Sequence, residues 1–467
     1  MQENKGQLND SYKQPQADGL PPHERAWAML SVSIGVGMAS LDTAIANTAL
    51  PAMAEQLHAT PAASVWIVNI YHLAMVATLL PFAAWSETVG YRRMCIAGIA
   101  LFTVASFACA MAWSLPALVT ARLLQGLGAS ALMSVNGALL RMIYPARLRG
   151  RGFGTNALVV AIGFALGPSV ASLILSWWSW PWLFAINVPL GIIAVFLGLR
   201  VLPQSRSHNS RIDVMAALYA MGAFGLLILA LSDAAHLASI PTIVVEFGLA
   251  AMFFVLLLWR EVGKEAPILP TDLFRRAAFA LSSLTAVCTF ACQSLAFVSL
   301  PFYFETVLNR SPVETGFLMT PWAIFVGIMA PIAGRLSDRY APGLLGGIGL
   351  SVLAGGMVSL YHLPPQSTAL AISWRMAVCG IGFGFFQAPN LKAIMGSAPP
   401  HRSGGASGII AISRLTGQAI GAALVALCLS LSPHQGSSYA LLLGALFASL
   451  ACIVSFSRLF VTPTPAD

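Results

Sequence analysis

Long apolar runs separated by short polar links make up most of this chain. A helix that crosses a membrane needs roughly 20 apolar residues. Fourteen segments meet that need and are predicted to be spanning helices: 26–50, 65–85, 94–113, 115–140, 155–177, 180–202, 213–232, 241–260, 278–304, 315–336, 343–362, 370–395, 405–431 and 438–459. Strands of a membrane barrel would be shorter, about 9–11 residues, and would alternate polar and apolar positions. The pattern therefore predicts an all-α membrane protein.

The links and ends leave no room for a soluble domain. Residues 1–25 are polar and rich in Gln, Asn and Pro, which predicts a disordered cytoplasmic tail, and residues 461–467 form a short C-terminal tail. Residues 1–25 also lack the basic-then-apolar layout of a signal peptide. The first span is therefore expected to be retained.

Composition excludes other classes. The 467 residues are 57% hydrophobic and 9% charged, whereas soluble domains are about 45–50% apolar and about 25% charged. So little charge cannot give a polar surface in water, which excludes an ordinary cytosolic enzyme, a secreted disulfide scaffold and a disordered protein. The net charge of +8 does not indicate a nucleic-acid partner, because the 25 Lys and Arg residues form no single patch. The seven Cys lie in apolar runs without a CxxC motif, so neither a metal site nor a cofactor is expected.

Basic residues are sorted between the two sides of the predicted bundle. Links after odd-numbered spans contain only Arg310. Links after even-numbered spans contain Arg92, Arg93, Arg147, Arg149, Arg151, Arg206, Arg211, Lys264, Arg275, Arg276, Arg339 and Arg402. Because Lys and Arg favour the cytoplasmic side, both termini are predicted to be cytoplasmic in a bacterial-type inner membrane.

The chain also resembles itself at an offset of 254 residues. Eight identities occur in register without a gap: Gly126/Gly380, Gly128/Gly382, Asn136/Asn390, Pro145/Pro399, Gly150/Gly404, Gly154/Gly408, Gly163/Gly417 and Gly167/Gly421. Earlier in the chain the offset is 250–251, where Leu50-Pro51 matches Leu300-Pro301. Such a repeat predicts two related halves.

The size of the offset predicts the architecture. Six spans with short links need about 180 residues, so an offset of 254 leaves room for two additional helices. We therefore predict an N-terminal six-helix half at 26–202, a linker with two inserted helices at 203–275, and a C-terminal six-helix half at 276–460. Repeated halves with a site between them are typical of secondary transporters, although a purely structural membrane protein is an alternative.

Five segments carry a family resemblance: LDTAIANTALP at 41–51, ARLLQGLGAS at 121–130, GFALGP at 163–168, WSWPWLFAINVPLG at 178–191 and GRLSDR at 334–339. In this order they resemble the major facilitator superfamily and, within it, the fourteen-span drug:proton antiporters. The resemblance covers nearly the whole chain. It implies the major facilitator fold and a monomeric transport unit.

The resemblance also assigns roles. It implies that the first-span motif contributes Asp42, Asn47 and Pro51, and that the fourth-span motif contributes Arg122, Gln125, Gly126 and Gly128. It assigns Gly163, Gly167 and Pro168 to an antiporter motif that limits leak.

The chain departs from the family pattern at two places. The loop AAWSETVGYRR at 83–93 has Ala83 where the family has Gly, Glu87 where it has Asp, and Tyr91 where it has a basic residue. In the fifth span, Ala171-Ser172 replaces the usual Gly-Gly.

Asp42 and Arg122 are the main candidates for coupling chemistry. An ionisable side chain at membrane depth costs at least about 2.5–3.5 kcal/mol and is a functional candidate by default. Both lie about seven or eight residues from the outer ends of their spans, hence at similar depth. One interpretation is a structural ion pair; the other is a carboxylate that takes up and releases a proton and pairs with Arg122 in one conformation only.

Other charged positions are left open or assigned to gates. Structural and functional interpretations of Arg414 are equally favoured, and Glu246 and Arg375 are interpreted as structural. The two matching cytoplasmic turns are interpreted either as solvated topology signals or as charge latches of a cytoplasmic gate, which comprises Glu87, Gly90, Arg92, Arg93, Gly334, Asp338 and Arg339.

A substrate cavity is expected between the halves near the midplane. Its candidate lining residues are polar or aromatic: Trp66, Asn69, Tyr71, Gln125, Gln293, Trp322, Gln387 and Asn390. Aromatic faces attract cations by about 0.5–2 kcal/mol each.

The resulting hypothesis is a proton-coupled antiporter that exports amphipathic, cationic drugs or toxic compounds, with antibiotic resistance as a consequence. Alternatives are an exporter of one metabolite or siderophore, a proton-coupled importer, and a membrane receptor. An ATP-driven pump is disfavoured because no GxxxxGK[ST] loop occurs, and an enzyme because no catalytic motif appears. The expected partners are a small-molecule substrate, protons and membrane lipid.

Overall fold

The computed structural model describes residues 19–204, 213–235, 238–262, 271–364, 366–397, 403–432 and 435–460. Within these ranges fourteen helices are long and apolar enough to cross a membrane, and there is no strand. In chain order they are α1 (Pro22–Thr48), α2 (Pro61–Val89), α3 (Tyr91–Ala110), α4 (Leu115–Ile143), α5 (Arg149–Trp177), α6 (Pro181–Val201), α7 (Val214–Ala235), α8 (Ile240–Glu261), α9 (Ala277–Phe302), α10 (Pro312–Leu336), α11 (Pro342–Tyr361), α12 (Ala369–Gly396), α13 (Ser403–Leu431) and α14 (Gly436–Ser457). The fourteen-span prediction is confirmed.

The described residues begin at residue 19 and end at residue 460, so they cover only part of the predicted N-terminal tail. Residues 1–18 and 461–467 lie outside the described residues. Residues 22–25, assigned to the tail from the sequence, already belong to α1, whose first turn begins with a proline pre-set for helical geometry.

An even number of spans places both ends of the bundle on one side, which we call the terminal side; the opposite side is the far side. Helices that begin on the far side often carry a side-chain cap. The hydroxyls of Thr60, Ser114, Ser239, Ser311 and Thr368 accept a backbone N–H at the starts of α2, α4, α8, α10 and α12. These caps satisfy N–H groups that a helix start leaves free and so fix where each span begins.

The internal repeat reappears as repeated helix packing. In the N-terminal half, Gly128 of α4 packs against the backbone of Phe102 in α3, and in the C-terminal half Gly382 of α12 packs against that of Leu353 in α11. Likewise Gly163 of α5 faces α1, and its equivalent Gly417 of α13 faces α9. A Cβ at any of these positions would crowd the neighbouring helix, which explains why small residues recur there.

The inserted pair α7–α8 attaches at one edge of the bundle. Helix α7 packs against α2 and α13, one helix from each half, while α8 packs mainly against α7. Asn69 of α2 donates a hydrogen bond to Ser232 of α7 at 3.2 Å, and Arg260 of α8 pairs with Asp213 at 2.8 Å. The pair therefore covers the seam between α2 and α13 and leaves the opposite seam to α5 and α10.

The two halves are closed against each other on the far side. Ser169 of α5 and Thr320 of α10 share a hydroxyl–hydroxyl hydrogen bond of 2.8 Å, and Gly316 lies against Ser172 and the carbonyl of Pro168. Toward the terminal side, residues 153–155 and 157–158 of α5 are exposed on several faces. The two halves are thus in contact on the far side through α5 and α10, whereas the terminal-side end of α5 is largely exposed.

Gly316 offers a test of this closure. A Cβ at Gly316 would overlap the Ser172 hydroxyl, so Gly316→Val is expected to disfavour far-side closure and expose Thr320. The measurement is labelling of a Thr320→Cys reporter by a membrane-impermeant maleimide, which we expect to rise several-fold. Gly327→Val is the matched control, because Gly327 lies in the same helix and faces open space. Equal labelling in the two valine variants would contradict the prediction.

Candidate functional site between the two halves

A buried polar cluster surrounds Asp42 in the N-terminal half. The Asp42 carboxylate forms an ion pair with Arg122 Nη1 of α4. Its Oδ1 also accepts hydrogen bonds from Gln125 Nε2 at 2.8 Å and from Asn187 Nδ2 of α6 at 3.1 Å. Gln125 is held in turn by Ser106 of α3 at 2.9 Å. One carboxylate thus joins α1, α4 and α6, with α3 behind them.

The guanidinium of Arg122 is equally enclosed. Its Nε donates to the Ile67 carbonyl of α2 at 3.0 Å, and its Nη1 also contacts Gln125 Oε1 at 2.7 Å. Its carbon Cζ lies 4.3 Å from the centre of the Tyr71 ring. Asp42 and Arg122 are each 1% exposed, so this is a fully buried ion pair. Breaking such a pair on one side alone is costly, because it leaves an uncompensated charge.

A cavity lies next to this cluster, between the halves. It comprises about 760 Å³ of empty space, part of which is open to solvent. The cavity is lined from both halves by α1, α2, α4, α5, α9, α10, α12 and α13. Asp42 and Arg122 are not among the described lining residues. The Tyr71 ring lies between Arg122 and the cavity.

The lining follows the internal repeat. Tyr71 of α2 and Trp322 of α10 are 251 positions apart and line opposite halves, as do Met75 and Val326. In the C-terminal half the Phe383 ring contacts the rings of Phe290 and Trp322, at centroid distances of 5.7 and 6.4 Å. The cavity wall is therefore largely apolar and aromatic.

A smaller void of about 180 Å³ adjoins the cavity. Asn47 and His72 of the N-terminal half and Gln293 and Gln418 of the C-terminal half line it. Neither ring nitrogen of His72 has a hydrogen-bond partner among the described residues. Buried polar groups are normally paired, so His72 keeps unused hydrogen-bonding capacity at the boundary between the two halves.

The predicted cavity residues fall into two groups. Tyr71, Gln293, Trp322 and Gln387 line the cavity. The structure places the other four elsewhere: Gln125 in the Asp42 cluster, Asn69 against Ser232, Asn390 against Arg458 at 2.8 Å, and Trp66 at the start of α2.

The predicted gate residues lie at two turns on the terminal side. Gly90, with φ of 98°, joins α2 to α3 in a conformation that side-chain-bearing residues rarely adopt. Arg92 donates to the Leu199 carbonyl, whereas Glu87 and Arg93 are exposed.

In the second turn the ion pair of Asp338 stays within a single half. Asp338 pairs with Lys392 of α12 at 2.6 Å, and Lys392 also donates to the Ser337 carbonyl. Gly334 lies near the end of α10, and Arg339 is exposed. The pair ties α12 to the end of α10 and does not cross to the other half.

The residues of the predicted antiporter motif lie on α5. Gly163 and Gly167 pack against Gly37 and Ala44 of α1, and the carbonyl of Pro168 faces Gly316 of α10. The motif thus fixes α5 between one helix of its own half and one of the other.

Three remaining charged residues have separate surroundings. Arg414 of α13 lines the cavity. Arg375 of α12 donates to the carbonyls of Ser359 and Ala371 at 3.0 and 2.6 Å. Glu246 of the inserted pair interacts with Asp233.

Several residues that complete the site are not among those that the sequence predicts. Asn187 lies inside the sixth-span segment WSWPWLFAINVPLG, where a lone Asn in an apolar run is the signal that could have found it. Gln418, Thr43 and His72 are equally visible as polar residues in spans. Within the described residues, no group of three His, Cys, Asp or Glu side chains is placed to hold a metal ion.

Two similar helical halves around a cavity, with a buried ion pair next to it, are typical of a membrane transporter of the secondary class. Residues 32–422 match the sequence profile of the Major Facilitator Superfamily, and the chain belongs to that family. It is thus a multi-pass membrane transporter, and members of the family are not enzymes.

Three bacterial relatives cover most of the chain. It is 48% identical over 446 residues to the "Uncharacterized transporter YebQ" of Escherichia coli strain K12, covering 95% of this chain and 98% of that one. It is 32% identical over 405 residues to the "Riboflavin transporter RibZ" of Clostridioides difficile strain 630, covering 86% and 87%. It is 30% identical over 418 residues to the "Multidrug resistance protein Stp" of Mycobacterium tuberculosis, covering 87% and 77%.

Proposed function

We propose that this protein is a proton-coupled antiporter that exports amphipathic small molecules across the bacterial inner membrane, with both termini in the cytoplasm. The observation that carries the proposal is the buried Asp42–Arg122 pair beside a cavity closed at the far side. With the sorting of basic residues, the terminal side is cytoplasmic. The cavity of this conformation then receives its ligand from the cytoplasm.

Asp42 is the proposed proton carrier. In this conformation three donors hold its carboxylate, and it lies behind the cavity wall. In the opposite conformation, a proton from the outside binds the Asp42 carboxylate, and the ion pair with Arg122 breaks. Return to the cytoplasm-facing state releases that proton inward and restores the pair. A unit of pH gradient supplies about 1.4 kcal/mol per proton, enough for tenfold accumulation.

The remaining proposals follow from the same geometry. Both halves of the cavity come from one chain, which supports a monomeric transport unit. Gly163, Gly167 and Pro168, packed between α1 and α10, would restrict leak by keeping α5 closely packed. The terminal-side turns would form the cytoplasmic gate in the outward-facing conformation.

Drug export and export of one metabolite are the two candidate substrate ranges. The resemblance to Stp supports a multidrug exporter that confers antibiotic resistance, and the resemblance to RibZ supports transport of a single metabolite. Growth inhibition by several unrelated toxic compounds, with and without the gene, separates them. Protection against several compounds would favour the first range, and protection against none the second.

Transport in proteoliposomes tests the coupling. With an antiporter, an acidic lumen drives dye uptake as protons leave, whereas a symporter-type importer needs an acidic exterior. We therefore expect uptake of dansyl dyes to follow an acidic lumen and to stop when nigericin collapses the gradient. Protein-free liposomes correct for passive entry. Dye uptake that is unchanged by the pH gradient would rule out proton coupling. Uptake driven by an acidic exterior would favour an importer.

A further inference from the structure

The polar groups of the cavity lie mainly on one of its two walls. Four lining residues of the C-terminal half are Gln293, Gln387, Arg414 and Gln418. Their equivalents in the internal repeat, at offsets of 250 and 254, are Thr43, Met133, Val160 and Phe164, which line the N-terminal half. The repeat thus builds an amphipathic cavity, with an amide- and guanidinium-bearing wall opposite a mostly apolar one.

Arg414 is a cation of this cavity with no partner among the described residues. It has no hydrogen bond or ion pair to any residue that the structure describes. Among the described lining residues it is the sole formally charged side chain, so no carboxylate there balances it. The carboxylate of Asp42 is already held by Arg122, Gln125 and Asn187. An unpaired guanidinium at membrane depth is expensive, and a ligand can supply the missing anion.

Two further polar atoms of residues that line this cavity lack partners among the described residues. The Trp322 indole N–H and the Gln293 Oε1 are buried and have no hydrogen-bond partner among the described residues. Both residues line the same cavity. A ligand at this wall therefore meets a guanidinium fork, a neutral donor and an amide acceptor, while its body packs on Phe164 and Met133.

We propose that the transported compounds are anionic amphiphiles, whose carboxylate or sulfonate group binds Arg414 and whose aromatic or aliphatic body lies on the N-terminal wall. This rests on the transport function proposed above and replaces the cationic substrate expected from the sequence. Arginine forms bidentate, charge-assisted hydrogen bonds with a carboxylate. The same charge repels a cationic ligand from an enclosed, weakly screened site.

Equilibrium binding of three dyes with one fluorophore tests the charge preference. Dansylglycine carries a carboxylate, dansylamide is neutral and dansylcadaverine carries an ammonium group. Binding to the purified protein in detergent is followed by the rise in dansyl emission. We expect dansylglycine to bind more tightly than dansylcadaverine, by about tenfold to a hundredfold, as a hydrogen-bonded charge pair implies.

Variants of Arg414 locate the preference. Arg414→Gln is expected to weaken dansylglycine binding about tenfold or more and to change dansylamide binding little, whereas Arg414→Lys keeps the order of the three dyes. Arg200→Gln is the matched control, because Arg200 is exposed at the end of α6 and lies over the Phe196 ring. It should bind all three dyes as the unaltered protein does.

Three results would overturn the proposal: tighter binding of dansylcadaverine, equal affinity for all three dyes, or unchanged dansylglycine affinity in Arg414→Gln. Binding at equilibrium uses no pH gradient. A charge preference measured by binding is therefore independent of proton coupling. If the preference is found but proteoliposome uptake does not respond to the pH gradient, only the proposed proton coupling is contradicted. Gradient-driven uptake of a cationic dye only would contradict the charge preference alone.

Discussion

Asp42→Asn is expected to abolish proton-driven uptake while leaving a folded protein that still exchanges dye. Asparagine has nearly the shape of aspartate and keeps an acceptor for Arg122. The variant loses some stability because the buried guanidinium loses its counter-charge, and the amide cannot bind and release a proton in the cycle. Transport should therefore lose its response to the pH gradient, while exchange of dye for dye across the membrane continues. The measurement compares gradient-driven uptake with counterflow in the same proteoliposomes.

Glu246→Gln is the matched control for this result. It also neutralises a carboxylate within a span, but Glu246 belongs to the inserted pair and interacts with Asp233 rather than with the Asp42 cluster. It should remain coupled to the gradient. An Asp42→Asn protein that concentrates dye as the unaltered protein does would refute the role of Asp42.

Arg122→Ala is expected to destabilise the protein strongly. Removal of the guanidinium leaves the Asp42 carboxylate buried without its counter-charge, and it opens a void beneath the Tyr71 ring. Loss of one partner from a buried ion pair lowers the free energy of unfolding by about 3–5 kcal/mol. Thermal unfolding of the detergent-purified protein measures the change.

Two comparison variants separate charge from volume. Removing both charges with Asp42→Asn and Arg122→Ala together should recover part of the lost stability, because no isolated charge then remains. Arg375→Ala deletes an arginine whose hydrogen bonds to described residues go only to the carbonyls of Ser359 and Ala371, and should cost less. If the loss of unfolding free energy in the double variant equals the sum of the losses in the two single variants, the pair is not energetically coupled.

The Asp42 cluster and the charged residue of the cavity wall lie in different halves of the protein. The cluster belongs to the N-terminal half and contains the one buried ion pair among the described residues. The charged side chain of the cavity wall, Arg414, belongs to the C-terminal half. Tyr71 is the direct link, since its ring covers Arg122 on one side and lines the cavity on the other. A ligand that displaces Tyr71 would thereby disturb the ion pair.

Two of the predicted cavity residues, Asn69 and Asn390, lie on helices that line the cavity but on faces that point away from it. Asn69 and Tyr71 are two residues apart on α2, yet Asn69 bonds to Ser232 of the inserted pair and Tyr71 faces the cavity. Asn390 and Gln387 lie on one helix, but Asn390 meets Arg458 while Gln387 lines the cavity. In a soluble helix, polar residues mark the outer face. In a membrane helix most faces are apolar, so the sequence does not indicate which polar residue points inward.

The sequence by itself determined the class of protein, the fourteen spans, the two-half repeat and the pairing of Asp42 with Arg122 as the main charged candidates. Hydropathy and internal repetition determine these features, because the bilayer requires long apolar helices and tolerates few charges. Only the tertiary structure decided which side chains share the cavity, that Asn187 completes the Asp42 cluster, and that the described wall around Arg414 lacks an anion. Those facts depend on close packing between helices that are far apart in the chain, set by small residues such as Gly167 against Ala44.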